Sequence, residues 1–152
     1  MSCIAPEKTA GLQIRGGLPN FNYKIEKSEP VSVVFLGGSI TNHQGYRVQI
    51  TDWLKQQYSN VQFTSINSGI GGTGSDLGVF RTERDVLQYH PDLVFIEFAV
   101  NDEGDETKGD CYESLVRKVL NLPWKPAVVL LFSVFANDWN LQDRLSPVGK
   151  LY

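Results

Sequence analysis

The sequence predicts a doubly wound parallel α/β domain, and three observations predict it. Four short runs that read as strands lie at residues 31–38, 61–67, 92–100 and 127–135, and the first, apolar on both faces, is how a strand covered on both sides looks. Between the runs lie segments whose apolar residues recur at helical spacing, so strands alternate with crossover helices. Glycine-rich or polar clusters follow three of the strands, at 37–41, 67–76 and 101–105, the rim at which such sheets bind ligands.

In chain order, residues 1–30 contain Pro6, Pro19, Pro30 and the GLPN turn at 17–20, and read as an irregular lead-in that drapes over the domain and is pinned by Phe21 and Tyr23. The domain proper is 31–152. VSVVFLGG (31–38) is the first strand. Asn42 reads as an N-cap, and Tyr46, Ile50, Trp53 and Leu54 mark a helix ending near Tyr58. VQFTSIN (61–67) is the second strand, followed by GIGGTGSDLG and a helix carrying Leu77, Val79, Phe80, Val86 and Leu87 that stops at Pro91. DLVFIEFAV (92–100) is the third strand. Tyr112, Leu115, Val116, Val119 and Leu120 place a helix over 110–122, closed by Pro123, before the fourth strand at 127–135. The tail 136–152 opens a further helix with no fifth strand behind it.

Composition narrows the function. The chain has 152 residues, 41% of them apolar, and a net charge of −3. That suffices for one buried core. Basic residues are scattered singly, which leaves no stripe for nucleic acid or anionic membrane, and no apolar stretch approaches the length of a membrane span. Cys3 and Cys111 form no disulfide framework and match no metal-ligand spacing. We read the partner as a small molecule or a protein, and the chain as cytoplasmic, or secreted if a leader has been removed.

Three positions carry chemistry. Ser39, in GGSIT at a strand-to-helix turn, has a tight glycine backbone before it and free helix N–H groups after it, which suits a nucleophile; the alternative is that Gly37, Gly38 and Ser39 are a turn and cap alone. In the glycine cluster 69–74, Gly72 is the member expected to aim its N–H at a tetrahedral oxyanion. Asn101, directly after the third strand, offers a second oxyanion donor through its side-chain amide, with Asp102 beside it.

These blocks resemble the SGNH, or GDSL-type, serine acyl-hydrolases, esterases and lipases that carry a serine block, an oxyanion-glycine block, an oxyanion-asparagine block and a late Asp-x-x-His. GGSIT stands where the serine motif stands, with Gly38 in place of the usual aspartate; INSGIGGTG supplies Gly72 and FIEFAVND supplies Asn101. The resemblance implies a flavodoxin-like three-layer α/β/α sandwich with strand order 2-1-3-4, lacking the last strand. It implies ester hydrolysis through an acyl-enzyme on Ser39, an oxyanion hole of the Ser39 N–H, the Gly72 N–H and the Asn101 side chain, no metal or cofactor, and short acyl substrates such as acetyl on a carbohydrate. The fourth block is absent, since neither Asp138 nor Asp143 is followed three residues later by histidine. The chain is therefore expected to be an incomplete and inactive portion, and its bare fourth strand is expected to drive self-association.

Other residues receive plainer readings. His90, at the far end of the second helix, belongs at the opposite end of the sheet from Ser39, and His43 reads as a solvated first-turn side chain. Glu97 is expected to pair with Arg47 or Lys118 inside the sheet, Arg81 and Arg84 to lie on a solvated helix face with Glu83 and Asp85, and Asn137–Trp139 to form a surface loop. Two rival functions stand beside the esterase. GIGGTG at 69–74 fits the dinucleotide fingerprint, with Glu97 as its acidic partner, and a chain without the fourth block would serve as a non-catalytic binding module.

Overall fold

The structure, a computed structural model, describes residues 11–152. Four parallel strands form one sheet in the order β2-β1-β3-β4: β1 Val31–Gly37, β2 Phe63–Gly69, β3 Leu93–Glu97 and β4 Ala127–Leu131. Among the described residues six α-helices accompany them: α1 Pro19–Glu26, α2 Ser39–Asn42, α3 Tyr46–Gln57, α4 Ser75–Asp85, α5 Asp110–Leu120 and α6 Gln142–Leu151. The α/β class and the strand order are those expected, and Ala127–Leu131 is shorter than its apolar run because the last residues of that run leave the ladder.

Alternating side chains of the strands feed two cores, one on each face, as a doubly covered sheet demands. Val34, Leu36, Val94 and Ile96 pack with Val86, Tyr112, Leu115, Val119 and Leu145 on one face. Val31, Val33, Phe35, Leu93 and Phe95 pack with Phe21 and Leu54 on the other, where Phe35 and Phe95 stack at 4.8 Å between centroids.

Several local expectations are corrected. The lead-in is not irregular throughout, because Pro19 occupies the first turn of α1, where its missing N–H is no loss. Phe21 pins this helix to the core, whereas Tyr23 is exposed. Asn42 closes a four-residue helix instead of capping the next one; α3 starts after Gly45. In α4 the buried side is Ser75, Gly78, Arg81 and Thr82, while Leu77 and Phe80 face outward, Phe80 at 84% exposure. The reason is close packing, since a β-carbon at Gly78 would lie 2.9 Å from the Phe98 ring. A stripe of small residues lets α4 approach Phe98, just past β3, and α5, and larger apolar side chains have no room there. Cys3 lies outside the described residues, and Cys111 is an unbridged thiol.

Candidate active site

The ends of β1, β2 and β3 are level. Gly37 pairs with Gly69 across β1 and β2 and with Glu97 across β1 and β3, so the segments that follow leave one rim. They then interlock. A β-carbon at Gly71 would lie 3.8 Å from the Ser39 Cβ, which places the glycine cluster over the serine. A β-carbon at Gly38 would lie 2.6 Å from the Asn101 Cγ, so the carboxamide packs directly on the Gly38 backbone. Gly74 is similarly closed off by the Asp102 carboxylate, whose Oδ1 accepts the Ser75 N–H at 2.6 Å. The structure thus brings Ser39, Gly72 and Asn101 into one neighbourhood, with Gly38 and Asp102 as the joints between their loops.

Each candidate donor is free. Ser39 is the first residue of α2 after the cap Gly38, so its N–H has no acceptor within the helix. Gly72, next to the Gly71 that packs over Ser39, adopts φ +73°, a left-handed conformation that glycine takes without cost. Among the described residues no hydrogen bond engages the Ser39 N–H, the Gly72 N–H or the Asn101 Nδ2, and the Asn101 Oδ1 is buried without a partner. The Ser39 hydroxyl is partly exposed and likewise unbonded. Unengaged donors around a reachable hydroxyl can receive an anionic oxygen without breaking an existing bond.

Two carboxyls lie beneath the rim. Glu97 is fully buried. Contrary to expectation it pairs with neither Arg47, which donates to the Thr41 carbonyl, nor Lys118, which faces Glu83. Neither of its oxygens has a full hydrogen bond; burial pushes its pKa up to about 7, against the weaker opposing pull of the Ser133 hydroxyl and the Ala99 N–H. Burial also raises the Asp102 carboxyl above the usual range, only partly offset by Ser75.

The histidines fall apart from the serine. His90 sits in a left-handed turn ahead of β3, against Trp124 at 4.6 Å, at the opposite end of the strands. His43 closes α2 with an exposed side chain, and no hydrogen bond among the described residues joins it to Ser39. Asp138 and the Asn137–Trp139 segment form a surface turn in which Phe135 and Trp139 stack. The dinucleotide reading loses its geometry, since GIGGTG follows an edge strand and Glu97 is sealed inside β3.

Sequence reasoning missed one residue of the site. Arg81, expected on a solvated face, is 6% exposed and donates to the Ser68 carbonyl at 2.6 Å and the Gly37 carbonyl at 3.0 Å. The legible signal was the small stripe Ser75, Gly78 and Thr82, which marks the inner side of α4 and carries Arg81 with it.

The model of the GDSL-like lipase/acylhydrolase family matches residues 35–152. Among solved structures, a two-domain esterase (CEX) active on acetylated mannans, co-crystallized with mannopentaose, superposes with a TM-score of 0.84 at 39% identity, over 89% of this chain and 39% of that one. The acetyl xylan esterase AlAXEase aligns with a TM-score of 0.63 at 24% identity, over 80% and 72% of the two chains. Axe2, an acetyl xylan esterase from Geobacillus stearothermophilus, aligns at 0.57 and 21%, over 79% and 67%; these two show the fold alone. No curated protein matches the chain by sequence. The chain spans 39% of the mannan esterase's length. A family match across most of the sequence, on a parallel sheet of order 2-1-3-4, shows that the chain belongs to the GDSL-like lipase/acylhydrolase family.

Proposed function

We propose that this chain carries the nucleophile and the oxyanion hole of a serine esterase acting on acetylated carbohydrate. The observation that carries the proposal is the packing of Gly71 over Ser39 and of Asn101 on Gly38, with three unengaged donors between them. In the reaction the Ser39 Oγ attacks the acyl carbon while its proton passes to a base. The carbonyl electron pair moves onto oxygen, where the Ser39 N–H, the Gly72 N–H and the Asn101 Nδ2 receive it. The tetrahedral species collapses with loss of the sugar oxygen, which takes up a proton, and water then releases the acid from the serine ester. The acetylated-carbohydrate substrate is carried over from the mannan esterase, which shares the fold at 39% identity.

No histidine among the described residues is bonded to Ser39, so on this reading the chain alone turns over slowly. Loss of the histidine from a serine protease triad lowers turnover about 10⁶-fold. An added base tests the reading: imidazole should stimulate acetate release from acetylated mannan, and Ser39→Ala should abolish the stimulated fraction. Release that is indifferent to Ser39 would leave the chain a carbohydrate-binding module.

The same chain is proposed to self-associate through β4. Among the described residues that strand pairs only with β3, and its side chains are half-buried from Val128 onward, which leaves a ladder of unpaired N–H and C=O groups. A monomer by light scattering at about 100 μM would remove this proposal.

A further inference from the structure

Arg81 ties together the two loops that hold the serine and the oxyanion glycine. Its guanidinium donates from Nη2 to the Gly37 carbonyl at 3.0 Å and from Nη1 to the Ser68 carbonyl at 2.6 Å. Gly37 lies two residues before Ser39, and Ser68 opens the segment that leads to Gly72. The Gly37 carbonyl also accepts the Ile70 N–H at 3.0 Å. One carbonyl at the end of β1 is therefore fixed both by the glycine loop and by the cation beneath it. Asp85, one helical turn on, holds Arg81 Nη1 at 3.0 Å, and the Asp85 carbonyl accepts the Ser68 hydroxyl at 2.5 Å. Buried charges are costly, and a hydrophobic replacement of similar volume often stabilises a fold at least as well. A planar fork that spans two carbonyls does something an alkyl chain or a single ammonium does not: it sets the distance between them.

We propose that Arg81 is a positioning residue for the acyl-transfer site, setting the spacing between the Ser39 loop and the Gly72 N–H through the Gly37 and Ser68 carbonyls. The proposal rests on the esterase reading above. Arg81 is buried beneath the rim and bonds the two backbone carbonyls, so it acts through the backbone. A displacement of about 1 Å in such a site can cost about 100-fold in rate.

The test uses the full chain with Ser39→Cys, whose thiolate reacts without a histidine base. Two reactions of the same thiol are compared. Acetylation by p-nitrophenyl acetate forms a thioester, expels p-nitrophenolate and passes through an oxyanion; alkylation by iodoacetamide displaces iodide and passes through none. Adding Arg81→Lys should slow acetylation about tenfold or more, by loss of an aligned oxyanion donor, and leave alkylation within about twofold. Asp85→Asn, which keeps the arginine but loosens it, should slow acetylation by a smaller factor and serves if Arg81→Lys does not fold. Acetylation unchanged in a folded variant, or both reactions falling together, would overturn the positioning role. Failure of Ser39→Cys itself to acetylate faster than a free thiol would instead overturn the site, and the proposal with it.

Discussion

The Asn101 carboxamide rests on the bare backbone of Gly38, with no room for a β-carbon between them: one placed on Gly38 would lie 2.6 Å from the Asn101 Cγ. The backbone at Gly38 is not left-handed, with φ −89°, so the requirement for glycine here is steric. Gly38→Ala should push the Asn101 amide out of line while leaving the fold intact, because the obstructing atoms are the end of a side chain. In the Ser39→Cys chain, acetylation should fall about 100-fold or more with little change in melting temperature, checked by p-nitrophenolate release and thermal unfolding.

Asp102 should act on stability before it acts on chemistry. Its Oδ1 accepts the N–H of Ser75, the first residue of α4. Asp102→Ala leaves that N–H buried and unpaired, at a cost of about 1–3 kcal/mol, whereas Asp102→Asn keeps an acceptor and should cost less. Urea unfolding of the two variants checks the order.

Glu97 should make the fold weaker as the solution turns neutral. Its carboxyl has a folded pKa of about 7 against an ordinary value of 4.5, so between those values the folded chain binds a proton that the unfolded chain has lost. Its contribution to stability is fully present below pH 4.5 and is lost as the pH rises through about 7. Glu97→Gln, neutral throughout, should remove that slope and be the more stable form at pH 8, by at most about 3 kcal/mol. Denaturant unfolding from pH 4 to 8 measures it.

Tyr112 is fully buried, and its hydroxyl has no hydrogen-bond partner. Burial, with Asp102 and Glu97 nearby, raises its pKa far above the ordinary value, so the phenol stays neutral. Tyr112→Phe removes an unsatisfied polar atom at almost constant volume and should raise stability by about 1 kcal/mol, read from the urea midpoint.

The strands and α5 were legible because their patterns are strong. VSVVFLG is apolar on both faces, and Tyr112, Leu115, Val116 and Val119 are all buried on the expected side of α5. The order of the serine, glycine and asparagine blocks was legible because each follows its own strand. What stayed hidden depended on packing distance. The large residues Leu77 and Phe80 marked the wrong side of α4, since its closeness to the sheet selects small residues and leaves Arg81 inside. Pro19 read as a turn when it starts α1. Glu97 read as half of an ion pair, but no salt bridge among the described residues includes it.

The convergence of Ser39, Gly72 and Asn101 on one carbonyl is tested most directly by the acetylation rate of Ser39→Cys with and without Asn101→Ala. Mass spectrometry should find the acetyl group on residue 39, with Cys3 and Cys111 as internal controls. The expected result is acetylation well above that of a free thiol, cut about 100-fold by Asn101→Ala while iodoacetamide alkylation holds. Acetylation of the thiol at position 39 no faster than that of Cys111, or indifferent to Asn101, would mean that the three loops do not form an oxyanion site.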